Sequence, residues 1–216
     1  TYVWDNGIEI IADGEFFTPE EGLQQYSVTG TDVNGCVNSD IVLITVNGLP
    51  NVSAGIDQEI CENDELVLNA SGAVSYDWSN GIIDGTAFIP DVGTNIYSVI
   101  GTDVNGCKNT DEISVLVNSL PEVNGGLDQS VCVGNEVILN GTGAVSYSWS
   151  DGIVNGVPFN PLEGEYQFQV IGTDENGCNN SDEVIVIVNE YVDPVFNQID
   201  PICQGDMFIL PENSLN

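Results

Sequence analysis

The chain has 216 residues, 42% of them apolar, and sets 34 acidic side chains against one basic residue, Lys108, with no histidine and six cysteines. A formal charge of −33 excludes nucleic acids and anionic membranes as partners, because both are bound through Lys and Arg. The missing histidine removes His-based serine and cysteine triads and His-containing zinc sites, and no apolar run is long enough to mark a membrane span.

Residues 1–47 read as the C-terminal part of a repeat. A strand holding Trp4 leads through glycine turns at Gly7 and Gly14 to Phe17, then to an alternating run with Tyr26 and Val28, a hairpin, and a second run with Val42, Ile44 and Val46. Residues 48–118 form a complete repeat. It opens with Leu49-Pro50 and runs to Cys61 and a polar turn at Glu62-Asn63-Asp64. Leu66, Leu68 and Ala70 then alternate, and Tyr76-Asp77-Trp78, Phe88, Tyr97 and Val99 precede the next hairpin and its Ile113, Val115 and Val117 strand. Residues 119–189 write the same unit again. Residues 190–216 begin a further, divergent unit with Cys203 and an apolar stretch at 208–210.

The organising motif is Gly-Thr-Asp-Val-Asn-Gly-Cys at 30–36 and 101–107, and Gly-Thr-Asp-Glu-Asn-Gly-Cys at 172–178. Successive copies are 71 residues apart, as are Cys61, Cys132 and Cys203, Trp78 and Trp149, and Phe17, Phe88 and Phe159. A fixed period of this length is a tandem array of small domains. Only Trp4 breaks the register, by three residues, through an insertion between Ile8 and Phe17. Asn-Gly between two period-2 runs predicts a two-residue type I′ hairpin. With about seven short strands per repeat and no helical period, the fold class is all-β: tandem immunoglobulin-like antiparallel β-sandwich domains in an elongated array. The chain reads as an excerpt of a longer array. An alternative is that residues 190–216, which carry the strands residues 1–47 lack, complete another copy by strand donation.

Repulsion among so many carboxylates opposes compaction at low salt and is relieved by salt or divalent cations, which suits a saline exterior. Six cysteines, none in a C-x-x-C pair, point to an oxidising compartment and disulfides.

The Leu-Pro linker, Asp-Gln-x-x-Cys at 57–61 and 128–132, Tyr-x-Trp-Ser-x-Gly, Phe-x-Pro, and Tyr-Ser-Val-x-Gly-Thr-Asp-x-Asn-Gly-Cys together resemble the PKD-like and immunoglobulin-like repeats of very large secreted cell-surface proteins of the Bacteroidetes. Those proteins include gliding-motility adhesins and other type IX secretion substrates. The resemblance covers nearly the whole chain. It implies an extracellular spacer, stalk or adhesive filament shaft, partnered by neighbouring repeats, by other copies in a filament or by a surface ligand. It brings no catalytic motif.

Three sets of residues are candidate sites. Oxygen ligands around each hairpin, Asp103, Asn105 and Asp111, then Asp174, Asn176 and Asp182, and Asp32, Asn34 and Asp40, suit Ca²⁺ if they converge; otherwise the Asp ends a strand and Asn-Gly makes the turn. Cysteines pair either within a repeat, Cys61 with Cys107 and Cys132 with Cys178, which leaves Cys36 and Cys203 for partners elsewhere, or between repeats, Cys61 with Cys178. Sandwich topology opposes the first scheme, because about nine residues of strand at ~3.3 Å each would separate Cys61 from Cys107. Either scheme stabilises by roughly 2 to 4 kcal/mol. Trp4, Trp78 and Trp149 read as core residues rather than carbohydrate platforms. The expected function is a non-catalytic, extracellular structural or adhesive repeat region; the alternative is a calcium-dependent module binding a glycan or protein. Ca²⁺ is the one cofactor in view.

Overall fold

The computed structural model describes residues 1–192, 201, 203–205 and 207; the expected strands of the fourth unit at 193–216 lie essentially outside these. The first repeat folds as β1 (Tyr2–Asp5), β2 (Ile10–Ala12), β3 (Gly22–Thr31) and β4 (Val37–Val46) in one sheet, ordered β2-β1-β3-β4. The second repeat contributes β5 (Gln58–Cys61), β6 (Leu66–Val67), β7 (Ser75–Trp78), β8 (Ala87–Phe88), β9 (Gly93–Thr102) and β10 (Lys108–Asn118). Its main sheet runs β5-β10-β9-β7, faced by the β6-β8 ladder. The third repeat has β11 (Gln129–Cys132), β12 (Ser146–Trp149), β13 (Gly164–Thr173) and β14 (Asn179–Asn189), ordered β11-β14-β13-β12. A single bridge between Val137 and Phe159 replaces its facing ladder. The chain divides into two compact units, one of Thr1–Pro121 with Thr173–Asn180, the other of Glu122–Gly172 with Ser181–Asn216.

The described repeats are all-β, and two expectations about them change. The second repeat has six strands plus an isolated bridge from Ser53 to Ser71, rather than seven. Its first strand also runs parallel to its last, with Gln58 opposite Val115 and Cys61 opposite Asn118. The third does the same, with Gln129 opposite Val186 and Cys132 opposite Asn189. The sheets are therefore mixed, not purely antiparallel.

Alternation builds the cores. In β10, Ile113, Val115 and Val117 point inward, and Tyr97 and Val99 of β9 join them against Trp78, Leu66 and Leu68. Val184, Val186, Val188, Phe168, Val170, Trp149, Val137 and Leu139 repeat the set. An aromatic pair stands at the same place in each repeat, Phe17 on Tyr26, Phe88 on Tyr97 and Phe159 on Phe168, with ring centroids 5.2, 5.5 and 5.5 Å apart. Trp78 and Trp149 are buried, as expected of core residues. The first repeat keeps the β1-β3-β4 part of the sheet, the counterpart of β7-β9-β10, and adds β2 at the edge of β1; only Ile11 and Tyr26 are buried in it.

The first glycine of the organising motif is fixed by packing. A Cβ on Gly101 would collide with the Val52 side chain and lie 2.9 Å from Ala73 Cβ, and one on Gly172 would collide with Val123 and lie 2.7 Å from Ala144 Cβ.

Candidate functional site

Two features set this chain apart: a disulfide at a strand end, and the carboxylates around the hairpins. Each hairpin is a three-residue loop, not the two-residue type I′ turn expected. Asp103 N–H donates to the Cys107 carbonyl (3.0 Å) and Gly106 N–H to the Asp103 carbonyl (3.2 Å). Gly106 alone takes a positive φ, +84°, while Asn105 does not. That is an ordinary right-handed turn followed by a left-handed glycine, the G1-bulge arrangement. Asp103 imposes it, because Oδ1 accepts both Asn105 N–H (2.9 Å) and Cys107 N–H (2.8 Å). Asp174 does the same with Asn176 and Cys178 (2.9 Å each), and Asp32 with Asn34 and Cys36 (2.8 Å each). Those two N–H donors, Cys36 first and then Asn34, hold the Asp32 carboxyl below its ordinary range.

The third member of each proposed cation set is elsewhere. Asp111 faces Val99, three rungs from the Lys108–Thr102 pair that closes the hairpin, about 10 Å along the strand. Its Oδ2 accepts Ala54 N–H at 2.8 Å, and Asp182 Oδ2 accepts Gly125 N–H at 2.8 Å. These bonds, the largest influence on each group, lower both carboxyls from their ordinary value. Each Asp thus clamps the entering segment of its repeat to the last strand. Asp57 and Asp128 reciprocate by accepting Ser114 N–H (2.9 Å) and Ile185 N–H (2.8 Å). Asp40, the counterpart in the first repeat, accepts the adjacent Ile41 N–H. So Asp103 and Asn105, Asp174 and Asn176, and Asp32 and Asn34 come together, while Asp111, Asp182 and Asp40 stand apart from them. Among the described residues no three His, Cys, Asp or Glu side chains gather as a metal-holding group.

Cys61 is bonded to Cys178, 117 positions along the chain, with their Cα atoms 5.5 Å apart. The register shows why Cys61 does not pair with Cys107. Cys61 lies opposite Asn118 at the end of β10, and Cys107 immediately precedes that strand's first residue, Lys108. Ten residues of strand at ~3.3 Å separate them, far beyond the roughly 7 Å Cα limit. Cys178 being taken, Cys132 does not bond it either. Cys36, Cys107 and Cys132 carry free thiols. Around the bond lie Glu62, Asn63, Asp64, Leu120, Gly177 and Asn179, lining a cleft of about 300 Å³. Asp64 Oδ2 accepts Cys61 N–H (3.0 Å), and Glu62 Oε2 accepts Leu120 N–H (3.2 Å).

One further contact, absent from the candidates named above, recurs in every repeat. Trp78 Nε1–H donates to Asp84 Oδ1 (2.9 Å), which also accepts Ala70 N–H (2.8 Å). Asn155 takes the same place with Trp149 (2.9 Å) and Gly141 (2.6 Å). Asp13 does so more loosely with Trp4 (3.4 Å). The signal was available, since Asp13, Asp84 and Asn155 stand 71 residues apart. A pair of phenols, Tyr76 and Tyr147, likewise closes the loop at Ala73 and Ala144, each accepting from the N–H and donating to the carbonyl of its alanine.

No family model matches the chain, and no curated relative matches it. Among solved structures it is similar to the insect immune protein hemolin, at 14% identity and TM-score 0.34, over 77% of this chain and 56% of that one. It is similar to an I-band fragment from titin at 11% identity and TM-score 0.35, over 89% and 88%. The fibronectin(III)-like modules of Clostridium thermocellum CbhA give 15% identity and TM-score 0.31, over 64% and 94%. This chain therefore spans little more than half of the hemolin chain. No helix among the described residues is long and apolar enough to cross a membrane.

Proposed function

We propose that the chain is a non-catalytic structural segment of an extracellular surface array, a stalk, spacer or filament shaft of the kind its repeats resemble in secreted proteins of the Bacteroidetes. The observation that carries this reading is the Cys61–Cys178 bond. It ties the strand end of one repeat to the hairpin of the next, which makes the array continuous in covalent structure as well as in sequence. A bond of this kind persists in an oxidising compartment outside the cell. The −33 charge suits the same setting, where salt screens it. A calcium-dependent binding module would need its oxygen donors at one point, and Asp103 and Asp111 are instead committed to separate backbone donors.

Protease shaving of intact source cells, with thiol mapping of the released peptides, tests the reading. Release of peptides from residues 48–189 with Cys61 and Cys178 joined is the expected result. Protection of the chain in intact cells, with both cysteines reduced, would overturn it.

A further inference from the structure

The second repeat holds an open cleft lined by residues of β8, of β9 and of the stretches that precede them. Ile82, Ile83, Phe88, Ile89 and Ile96 give apolar walls to a space of about 570 Å³, which Asp91, Asn95 and Tyr97 also line. Tyr97 is only 5% exposed, and its hydroxyl makes no hydrogen bond among the described residues. No fully buried side-chain oxygen there lacks a partner, so that hydroxyl opens onto the cleft. Burial and, after it, the charge of Asp91 hold the phenol's pKa above its ordinary value. The Asp91 carboxylate likewise accepts no hydrogen bond among the described residues.

The third repeat shows what such a cleft holds. In the 71-residue register Tyr166 stands at Asn95, Phe168 at Tyr97 and Leu162 at Asp91. The Tyr166 ring lies flat on Phe168, with centroids 5.8 Å and planes 7° apart, and its hydroxyl donates to the Leu162 carbonyl (3.0 Å). Phe159 meets Phe168 edge-on as Phe88 meets Tyr97, at 5.5 Å in both repeats. The second repeat therefore has two rings of a three-ring set. Asn95 cannot supply the third, because it has no ring and its amide turns back to the Asp91 and Gly93 carbonyls (2.8 and 3.1 Å). Where that ring is lost, two polar groups stand in place of apolar ones: Tyr97 for Phe168, and Asp91 for Leu162.

We propose that this cleft is a recognition site for a partner polypeptide, which lays an aromatic side chain flanked by Lys or Arg over Tyr97. The incoming ring takes the place that Tyr166 holds in the third repeat, and stacking with burial gives affinity. The basic neighbour donates to the Asp91 carboxylate, which selects a cationic segment. That cation comes from another protein. This chain sets one basic residue, Lys108, against 34 acidic ones, and Lys108 is flanked by Cys107 and Asn109, not by an aromatic residue. The same imbalance steers a basic partner inward. Such a site adds recognition to the structural role and does not depend on it.

The test follows the isoleucine methyl signals of the full chain by NMR while the end-capped tripeptide Lys-Tyr-Lys is added. Signals of Ile83, Ile89 and Ile96 are expected to shift saturably, and Lys-Ala-Lys should leave them in place. Asn95→Tyr fills the cleft from within, as Tyr166 does in the third repeat, and should abolish the shifts in a folded chain. Asp91→Asn, at an exposed position, should weaken binding about tenfold. No saturable shift with Lys-Tyr-Lys would overturn the proposal, and so would equal shifts with Lys-Ala-Lys, which would reduce the effect to attraction of charge. Binding that survives Asn95→Tyr or is unchanged by Asp91→Asn would also overturn it, by placing the peptide elsewhere. Self-association of the chain that Asn95→Tyr removes would do the same, by seating a second copy in the cleft.

Discussion

Pulling on the ends of the chain is expected to leave most of it unextended while Cys61–Cys178 is intact. The bond closes a loop across 117 positions, which holds β6 to β10 of the second repeat and β11 to β13 of the third. Force applied at the termini then runs from residue 61 to residue 178 through sulfur. It reaches only the first repeat, β5, β14 and residues 190–216. The hidden contour is 117 residues at ~3.5 Å each, about 400 Å. Single-molecule force extension with and without reductant reads this directly, and Cys61→Ser should reproduce the reduced trace without reductant. In the chain-entropy picture the same cross-link stabilises by about 5 kcal/mol, since a loop of about 100 residues gives roughly 4.7. Equal total extension for oxidised and reduced chains would refute the reasoning, because it would mean that tension does not pass through the bond.

Other expectations rest on single contacts. Asp84→Ala should destabilise the second repeat by roughly 1 to 3 kcal/mol, because Trp78 Nε1–H and Ala70 N–H lose their acceptor. Asp84→Asn should be close to neutral in the same thermal melts, since Asn155 serves both donors in the third repeat. Leu68→Ala, at a site only 1% exposed, should cost about 2 to 5 kcal/mol by denaturant titration. Melting temperature monitored from pH 7 to pH 3 should first rise and then fall. Glu163 is raised above its ordinary value chiefly by the charge of Glu190, so it opposes folding at neutral pH and that opposition is relieved as pH drops through its folded value. Asp32, Asp111 and Asp182 are lowered by their N–H donors. Their contribution is full above the ordinary carboxylate range, near 4, and is lost as pH falls through the depressed folded values. Calcium should raise the melting temperature only shallowly, in a manner sodium reproduces at matched ionic strength; a saturable shift at micromolar Ca²⁺ would establish defined sites.

The repeat, its hairpins and its core faces were legible because each rests on a local pattern. Alternation placed Ile113, Val115 and Val117 inward, and the 71-residue period transferred that reading to Val184, Val186 and Val188. The features that were not legible depended on side chains reaching across the fold. The hairpin differs from type I′ because the Asp103 carboxylate accepts two N–H groups and so holds Asn105 out of positive φ, which Asn-Gly spacing does not reveal. Asp111 looks like a cation ligand in sequence, yet its partner, Ala54, is 57 residues away. The parallel β5 edge was likewise invisible in alternation, which is the same for either strand direction. The choice of Cys178 for Cys61 stems from that edge, because it sets Cys61 against the end of β10 and away from Cys107.

Covalent coupling of successive repeats is tested most directly by a non-reducing peptide map of the intact chain. A linked peptide joining Cys61 to Cys178 is the expected result. A Cys61–Cys107 peptide would contradict it, by placing the two ends of β10 within bonding distance and leaving each repeat stapled only to itself.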